Sequence, residues 1–324
     1  MPDARPGTAL ICGISGQDGA WLSKLLLDRG YVVVGTSRDA AVGSFGSLVK
    51  LGIRERVRVT SATLTDFRSL IRVLLDVQPD EIYNFSGQTS VGLSFEQPAE
   101  ALESIAVATL NMLEAIRMLK RPVRYYNACS SECFGDTLEV AADEDTPFQP
   151  RSPYGVAKAA AFWQVSSYRE AYGLYACSGI LFNHESPLRP ERFVTKKVVA
   201  AACRIAAGSR ERLKLGDLTV RRDWGWAPEY VDAMWRMLQA KQPEDHIICT
   251  GETNPLSAFV DEAFATVGLK AADHVDQDPA FFRPADLRSS IGNPAKAWER
   301  LGWKAKFKMR DVVRAMIHAE LNHD

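Results

Sequence analysis

Short apolar runs bounded by glycine or polar turns alternate along this chain with longer stretches in which apolar residues recur every three or four positions. Thr8-Ala9-Leu10-Ile11-Cys12 has the length and apolarity of a strand buried on both faces. Glycines follow, and 20–29 then shows helical spacing that stops at Gly30. Tyr31-Val32-Val33-Val34-Gly35 reads as a second strand, so the N-terminal segment predicts a β-α-β unit. The alternation continues with strands at 57–59, 81–85, 123–127, 175–182 and 246–250, and with helices at 66–77, 99–118, 153–172 and 228–238. This order predicts an α/β fold, a doubly wound parallel sheet with helices on both faces. After Phe182 the texture changes: 183–196 is rich in proline and charge, and 256–324 reads as short helices around a proline-rich turn. The expected division is a dinucleotide-binding lobe, 1–182 with 219–250, and a smaller C-terminal substrate lobe, 183–218 with 251–324.

Composition narrows the class. A length of 324 residues is enough for two lobes, and 46% apolar with 24% charged residues is ordinary for a soluble enzyme. The net charge of −1 supplies no field to gather nucleic acid or an acidic membrane. No apolar run reaches the roughly 20 residues that a membrane helix requires. The N-terminus shows no secretory pattern, so a cytoplasmic location is expected. Cys12, Cys129, Cys133, Cys177, Cys203 and Cys249 are scattered, and only Cys129 and Cys133 are close. Without a ligand-like spacing of His and Cys, they are expected to be buried thiols in a reducing compartment, with no metal site and no disulfide frame.

Two patterns carry chemistry. Gly13-Ile14-Ser15-Gly16-Gln17-Asp18-Gly19 links the first strand to the first helix. Glycines there allow a tight turn and close approach of the backbone to a pyrophosphate, and a helix N-terminus favours the negative charge, as in a Rossmann dinucleotide fold. The second strand ends without the acid that commonly holds an NAD ribose; Arg38 follows and suits a 2′-phosphate, which favours NADP over NAD, while Asp39 beside it leaves NAD open. The second pattern is Tyr154 and Lys158, four apart and hence on one helix face. An ammonium near a phenol is expected to favour the phenolate, the base that oxidation of a secondary alcohol needs. Ser130, Ser131 and Glu132 follow the strand at 123–127, whose C-terminal end should face the ligand crevice. Serine hydroxyls can hold a substrate hydroxyl. A carboxylate beside a new ketone can take the acidified proton of the next carbon and so permit loss of water.

Together these motifs resemble the extended short-chain dehydrogenase/reductase superfamily, and within it the GDP-mannose 4,6-dehydratase family. The resemblance extends over nearly the whole chain. It rests on the glycine loop, on Tyr83-Asn84-Phe85-Ser86-Gly87-Gln88-Thr89-Ser90-Val91, on Ser130-Ser131-Glu132 and on the run from Arg151 to Lys158. Asn183-His184-Glu185-Ser186-Pro187, Arg222-Asp223-Trp224-Gly225 and Phe281-Phe282-Arg283-Pro284 are further matches. It implies a catalytic set of Ser130, Glu132, Tyr154 and Lys158. It implies a cofactor site of Gly13, Gly16, Gln17, Asp18, Gly19, Arg38, Thr63, Leu64, Ser86, Tyr154 and Lys158. Gln88, Ser90, Ser131, Asn183, Glu185, Lys197, Arg222 and Arg283 match positions that hold the GDP-sugar.

The implied reaction oxidises C4, removes the C5 proton, expels water from C6 and returns the hydride to C6, so NADP ends as it began. Where the family carries threonine this chain has Ser130, and the family's bulky residue after Gln-Ser is Ser90. The segment that helps the family form tetramers reads Asp39-Ala40-Ala41, leaving homodimer and homotetramer both open. The other reading is a keto-sugar-nucleotide reductase or epimerase of the same fold. His184, Trp224 and Trp226 are read as structural.

Overall fold

The computed structural model describes residues 7–282 and 284–322. It resolves into two compact units. The first comprises the described residues through Cys133, Ser152–Leu181 and Val231–His246; the second comprises Phe134–Arg151, Phe182–Tyr230 and the described residues from Ile247 onward. The elements up to the end of β6 are β1 (Thr8–Cys12), α1 (Gln17–Asp28), β2 (Val32–Ser37), α2 (Gly46–Lys50), β3 (Arg58–Ser61), α3 (Phe67–Val77), β4 (Glu81–Asn84), α4 (Val91–Glu96), α5 (Pro98–Leu102), α6 (Ala108–Leu119), β5 (Arg124–Ser130), α7 (Pro153–Tyr172) and β6 (Tyr175–Leu181). Then come β7 (Asn183–Glu185), α8 (Val194–Ala206), β8 (Leu213–Leu215), β9 (Arg221–Arg222), β10 (Trp224–Trp226), α9 (Ala227–Gln239) and β11 (His246–Ile248). The chain continues with β12 (Asn254–Pro255), α10 (Leu256–Thr266), β13 (Val275–Gln277), α11 (Ala295–Leu301) and α12 (Met309–Leu321).

The seven-stranded sheet has the order β11-β6-β5-β4-β1-β2-β3. The pairs from β6 across to β3 are all parallel. Strand β1 has β2 on one side and β4 on the other, so the order reverses there. A reversal of this kind opens a crevice at the carboxyl ends of the strands. Ala9, Leu10, Ile11 and Cys12 are wholly buried, as a central parallel strand requires. One face of the sheet packs Leu10, Ile82 and Tyr125 against Leu70 and Leu74 of α3, Met112 and Ile116 of α6, and Val165 of α7.

Helix α7 has both ends set by local chemistry. Ser152 accepts the Gly155 N–H at 3.0 Å, Pro153 occupies the first helical position, and Gly173 closes the helix in the left-handed region at φ 64°. The helix predicted at 99–118 is instead built in three parts. A π-helical stretch, Glu103–Val107, separates α5 from α6. A π turn makes wider i to i+5 bonds, which the apolar spacing alone does not announce.

In the second unit α8, α10 and α12 enclose Trp224, Phe259 and Phe264. Strands β7 and β10 form a parallel ribbon in which Asn183, His184 and Glu185 lie opposite Trp224, Gly225 and Trp226. Segments 134–151, 219–230 and 247–250, with Phe182, were expected with the first lobe but belong to this unit. Their backbone partners are distant in sequence: Thr137 N–H donates to Ser289 at 3.1 Å, Ala142 to Ile291 at 2.9 Å, and β9 pairs with β12. Among the described residues no helix is long and apolar enough to cross a membrane.

Candidate active site

The glycine loop joins β1 to α1 at the reversal of strand order. Gly13 has φ +84°, and a Cβ there would lie 2.9 Å from the carbonyl carbon of Phe85, in the loop after β4. A Cβ on Gly19 would come within 2.5 Å of the Gly13 carbonyl oxygen. Both positions therefore exclude a side chain, for backbone strain at Gly13 and for contact at both. Gly16 stands at the N-cap of α1 and no side chain caps that end. The Gln17 amide donates to Asp18 at 3.2 Å, and Gln17 is buried. This is a cradle that brings backbone and helix dipole to an anion.

The other expected cofactor positions follow strands of the same sheet. Arg38 lies exposed after β2 and joins no ion pair among the described residues. Asp39 does not neutralise it; its carboxylate accepts the N–H groups of Ala41 and Val42 at 2.9 and 3.2 Å in its own turn. Thr63 and buried Leu64 follow β3, where the Leu64 carbonyl accepts from Asn111 at 2.9 Å. Ser86 follows β4 and bonds the Asn84 side chain through both its amide and its hydroxyl, and Asn84 in turn donates to Tyr125.

Beyond β5 the catalytic candidates converge. The Ser130 hydroxyl accepts the Glu132 N–H at 3.2 Å and is hydrogen-bonded to Tyr154. Ser131, Glu132 and Cys133 form a single 3-10 turn in which Ser131 is buried and Glu132 half-buried. The charge of Glu132 reaches Tyr154 and opposes its ionisation. Lys158 is buried, donates to the Ala128 carbonyl at 2.6 Å, and holds its nitrogen 5.8 Å from the Tyr154 ring centre.

One expectation fails. Burial, with Ser130 opposing it, pushes the Tyr154 phenol well above its ordinary value, and Lys158 does not offset this. Burial also lowers Lys158. Spacing on a helix brought the two residues to one face, but burial of both is a tertiary property, and desolvation disfavours either charge.

The substrate candidates divide. Gln88 donates to the Ser90 carbonyl at 2.8 Å, while its Oε1 is buried with no hydrogen-bond partner among the described residues. The Ser90 hydroxyl caps α4 through Leu93 N–H at 3.2 Å. In the second unit Asn183 is half-buried on β7. Glu185 is buried and already engaged, accepting from Thr195 at 2.8 Å and ion-paired with Arg189 at 2.8 Å. Arg222 is buried against Asp286 at 2.9 Å and the Leu287 carbonyl at 2.8 Å. Lys197 is half-buried, donates to the Lys214 carbonyl at 2.8 Å and lies 4.2 Å from the Phe281 ring centre. Arg283 lies outside the described residues. Sequence reasoning missed Ser94, whose buried hydroxyl accepts the Tyr154 N–H at 3.2 Å, sixty residues away in the chain. A lone serine in a short helix carries no signal of such a role.

The family described as GDP-mannose 4,6 dehydratase matches residues 10–316. The GDP-mannose 4,6 dehydratase 1 of Arabidopsis thaliana is 42% identical over 323 residues, covering 97% of this chain and 89% of that one. The GDP-mannose 4,6-dehydratase of Sinorhizobium fredii is 41% identical over 341 residues, covering 97% of both. Among solved structures, the UDP-glucose 4-epimerase of Thermus thermophilus in complex with NAD has a TM-score of 0.84 at 25% identity, covering 98% of this chain and 100% of that one. The epimerase shares the architecture. The dehydratases share the sequence over nearly its full length, and the chain belongs to the GDP-mannose 4,6-dehydratase family.

Proposed function

We propose that this chain converts GDP-mannose to GDP-4-keto-6-deoxymannose, as a hydro-lyase with NADP as resident cofactor. The observation that carries the reading is the linked set of Tyr154, Ser130 and Glu132, which puts a carboxylate beside the base of an alcohol-oxidising site. A reductase or epimerase has no use for that carboxylate.

The side-chain-free cradle at Gly13 and Gly19 and the uncapped start of α1 fit a dinucleotide pyrophosphate. Gly13, Gly16, Gln17, Asp18, Gly19, Thr63, Leu64, Ser86, Tyr154 and Lys158 would hold the cofactor, with Arg38 on a 2′-phosphate. NAD is the second candidate. When bound, the nicotinamide supplies the acceptor for the C4 hydride and its return to C6.

The chain's own groups do the rest. Ser130 holds the C4 hydroxyl and Tyr154 takes its proton, helped by any positive charge that joins Lys158 at the site. Glu132 removes the C5 proton, which the new carbonyl acidifies, and water leaves from C6. Gln88, Ser90, Ser131, Asn183, Glu185, Lys197, Arg222 and Arg283 are the positions assigned to the GDP-sugar by family likeness. Charge on Lys197 and Arg222 suits a diphosphate. Glu185 acts there through Arg189 and Thr195, which it holds, and Ser90 through the start of α4, which it caps.

Leu102, Val107 and Leu110 along α5, the π turn and α6, and Val156 and Trp163 on α7, are exposed apolar side chains suited to burial in a homodimer, and a tetramer would need a further contact. Six unpaired thiols fit a cytoplasmic location.

The test is to incubate the protein with NADP⁺, and separately with NAD⁺, and a panel of GDP-, dTDP-, UDP- and CDP-hexoses. Loss of one water from GDP-mannose with no net change in reduced nicotinamide is expected. Stoichiometric consumption of NADPH with no loss of water would replace the dehydratase by the reductase reading.

A further inference from the structure

Two sulfur atoms flank the turn that carries the catalytic candidates. Cys129 Sγ and Cys133 Sγ are 3.6 Å apart, on either side of Ser130, Ser131 and Glu132. Both are buried, at 2% and 0% exposure. Their remaining partners are weak backbone carbonyls: Cys129 reaches those of Lys158 at 3.9 Å and Ser130 at 4.0 Å, and Cys133 that of Gly155 at 3.7 Å. All six cysteines are unpaired, and no other two sulfurs are in hydrogen-bond contact among the described residues.

We propose that Cys129 and Cys133 form a dithiol oxidation site, which a hydroperoxide closes into a disulfide that stops turnover. The peroxide O–O bond breaks as one sulfur is oxidised to the sulfenic acid, releasing water or an alcohol. The second sulfur then attacks the first, the S–O bond breaks, and a second water leaves with the remaining thiol proton. Two S–H groups are oxidised by two electrons, the peroxide is reduced by two, and one S–S bond forms.

A disulfide requires a separation of about 2.05 Å, so the sulfurs must close by roughly 1.5 Å. The displacement falls on the end of β5 and on the turn behind it. Those are the segments that aim the Ser130 hydroxyl at Tyr154 and the Glu132 N–H at Ser130. A misplacement of about 1 Å at such a site can cost on the order of 10²-fold in rate. Burial, with Cys129 beside it, holds the Cys133 thiol well above its ordinary value against the Ser130 backbone and Lys158, and a raised thiol reacts slowly with peroxide.

The chain offers a direct readout. Trypsin cleaves after Arg124 and Arg151 and nowhere between, so peptide 125–151 contains both cysteines and no other. The full-length protein is treated with excess hydrogen peroxide, its remaining thiols are alkylated, and it is digested with and without prior reduction. The expected peptide has lost two hydrogens and takes no alkyl group until reduced. The dehydratase rate falls by roughly 10²-fold in parallel and returns with dithiothreitol. Cys133→Ala, and independently Cys129→Ala, should keep their rates under the same treatment.

Alkylation of both cysteines after peroxide, or oxidation of either to the sulfinic acid without a bridge, overturns the site. A bridged peptide with undiminished turnover overturns its effect on catalysis. The activity arm rests on the dehydratase reading, whereas the peptide mass needs no substrate, so the two can fail separately.

Discussion

Helices α1 and α7 both follow a strand of the parallel sheet, yet their first turns are built in opposite ways. At α1 the N-cap is Gly16, no side chain closes the end, and Gly13 and Gly19 clear the space in front of it. At α7 the same kind of end is filled: Ser152 takes the Gly155 N–H, Ser94 takes that of Tyr154, and Pro153 contributes none. The first end is left open, its N–H groups uncapped by any side chain. The second is closed so that one side chain, Tyr154, is presented in a fixed orientation. Helix termini carry the same dipole in both cases, and capping decides whether it is offered to a ligand or spent on rigidity.

This contrast can be broken from either side. The largest effect is expected for Tyr154→Phe, which keeps the closed turn and removes its cargo. Turnover should fall by about 10²–10⁴-fold, and a near-normal rate in this variant would remove Tyr154 from its role as base. Glu132→Gln should lower release of 6-deoxy product by a similar ~10²–10⁴-fold and leave cofactor affinity intact; full-rate product release from this variant would remove the carboxylate from the mechanism. Gly16→Asp converts the open end into a capped one. It should weaken NADP⁺ binding by at least roughly tenfold, about 1.4 kcal/mol, without lowering the urea midpoint; equal affinity in a binding titration would show that the anion does not sit there. Ser152→Ala opens the closed end and should cost about 1 kcal/mol in urea unfolding, with a smaller change in turnover than either catalytic variant.

The limits of α7 were legible because they are local chemistry: Pro153 starts it and Gly173 ends it, matching the predicted 153–172. The strands of the seven-stranded sheet were equally readable, most of them by their apolarity, whereas the short strands β7–β10, β12 and β13 were not. What escaped was set by residues far apart in the chain. The π turn at Glu103–Val107 keeps an apolar pattern that passes for one regular helix. Placement of Phe134–Arg151 in the second unit depends on bonds to Ser289 and Ile291. Arg222 was placed at the substrate by resemblance alone, and nothing near it in sequence announces Asp286, which pairs with it from sixty-four residues on. Tyr154 and Lys158 were found together by their spacing, whereas the upward push on the phenol comes from burial by the whole unit.

The parallel ribbon of β7 and β10 has a consequence for how this protein can be altered. Its strands place His184 against Gly225, and a Cβ on Gly225 would meet the Tyr230 ring, which stacks on His184 at 4.6 Å. The two signature stretches thus behave as one interlocked part with a spacer between them. Grafting either stretch alone into a related scaffold should misfit, while the pair, moved together, carries its own register.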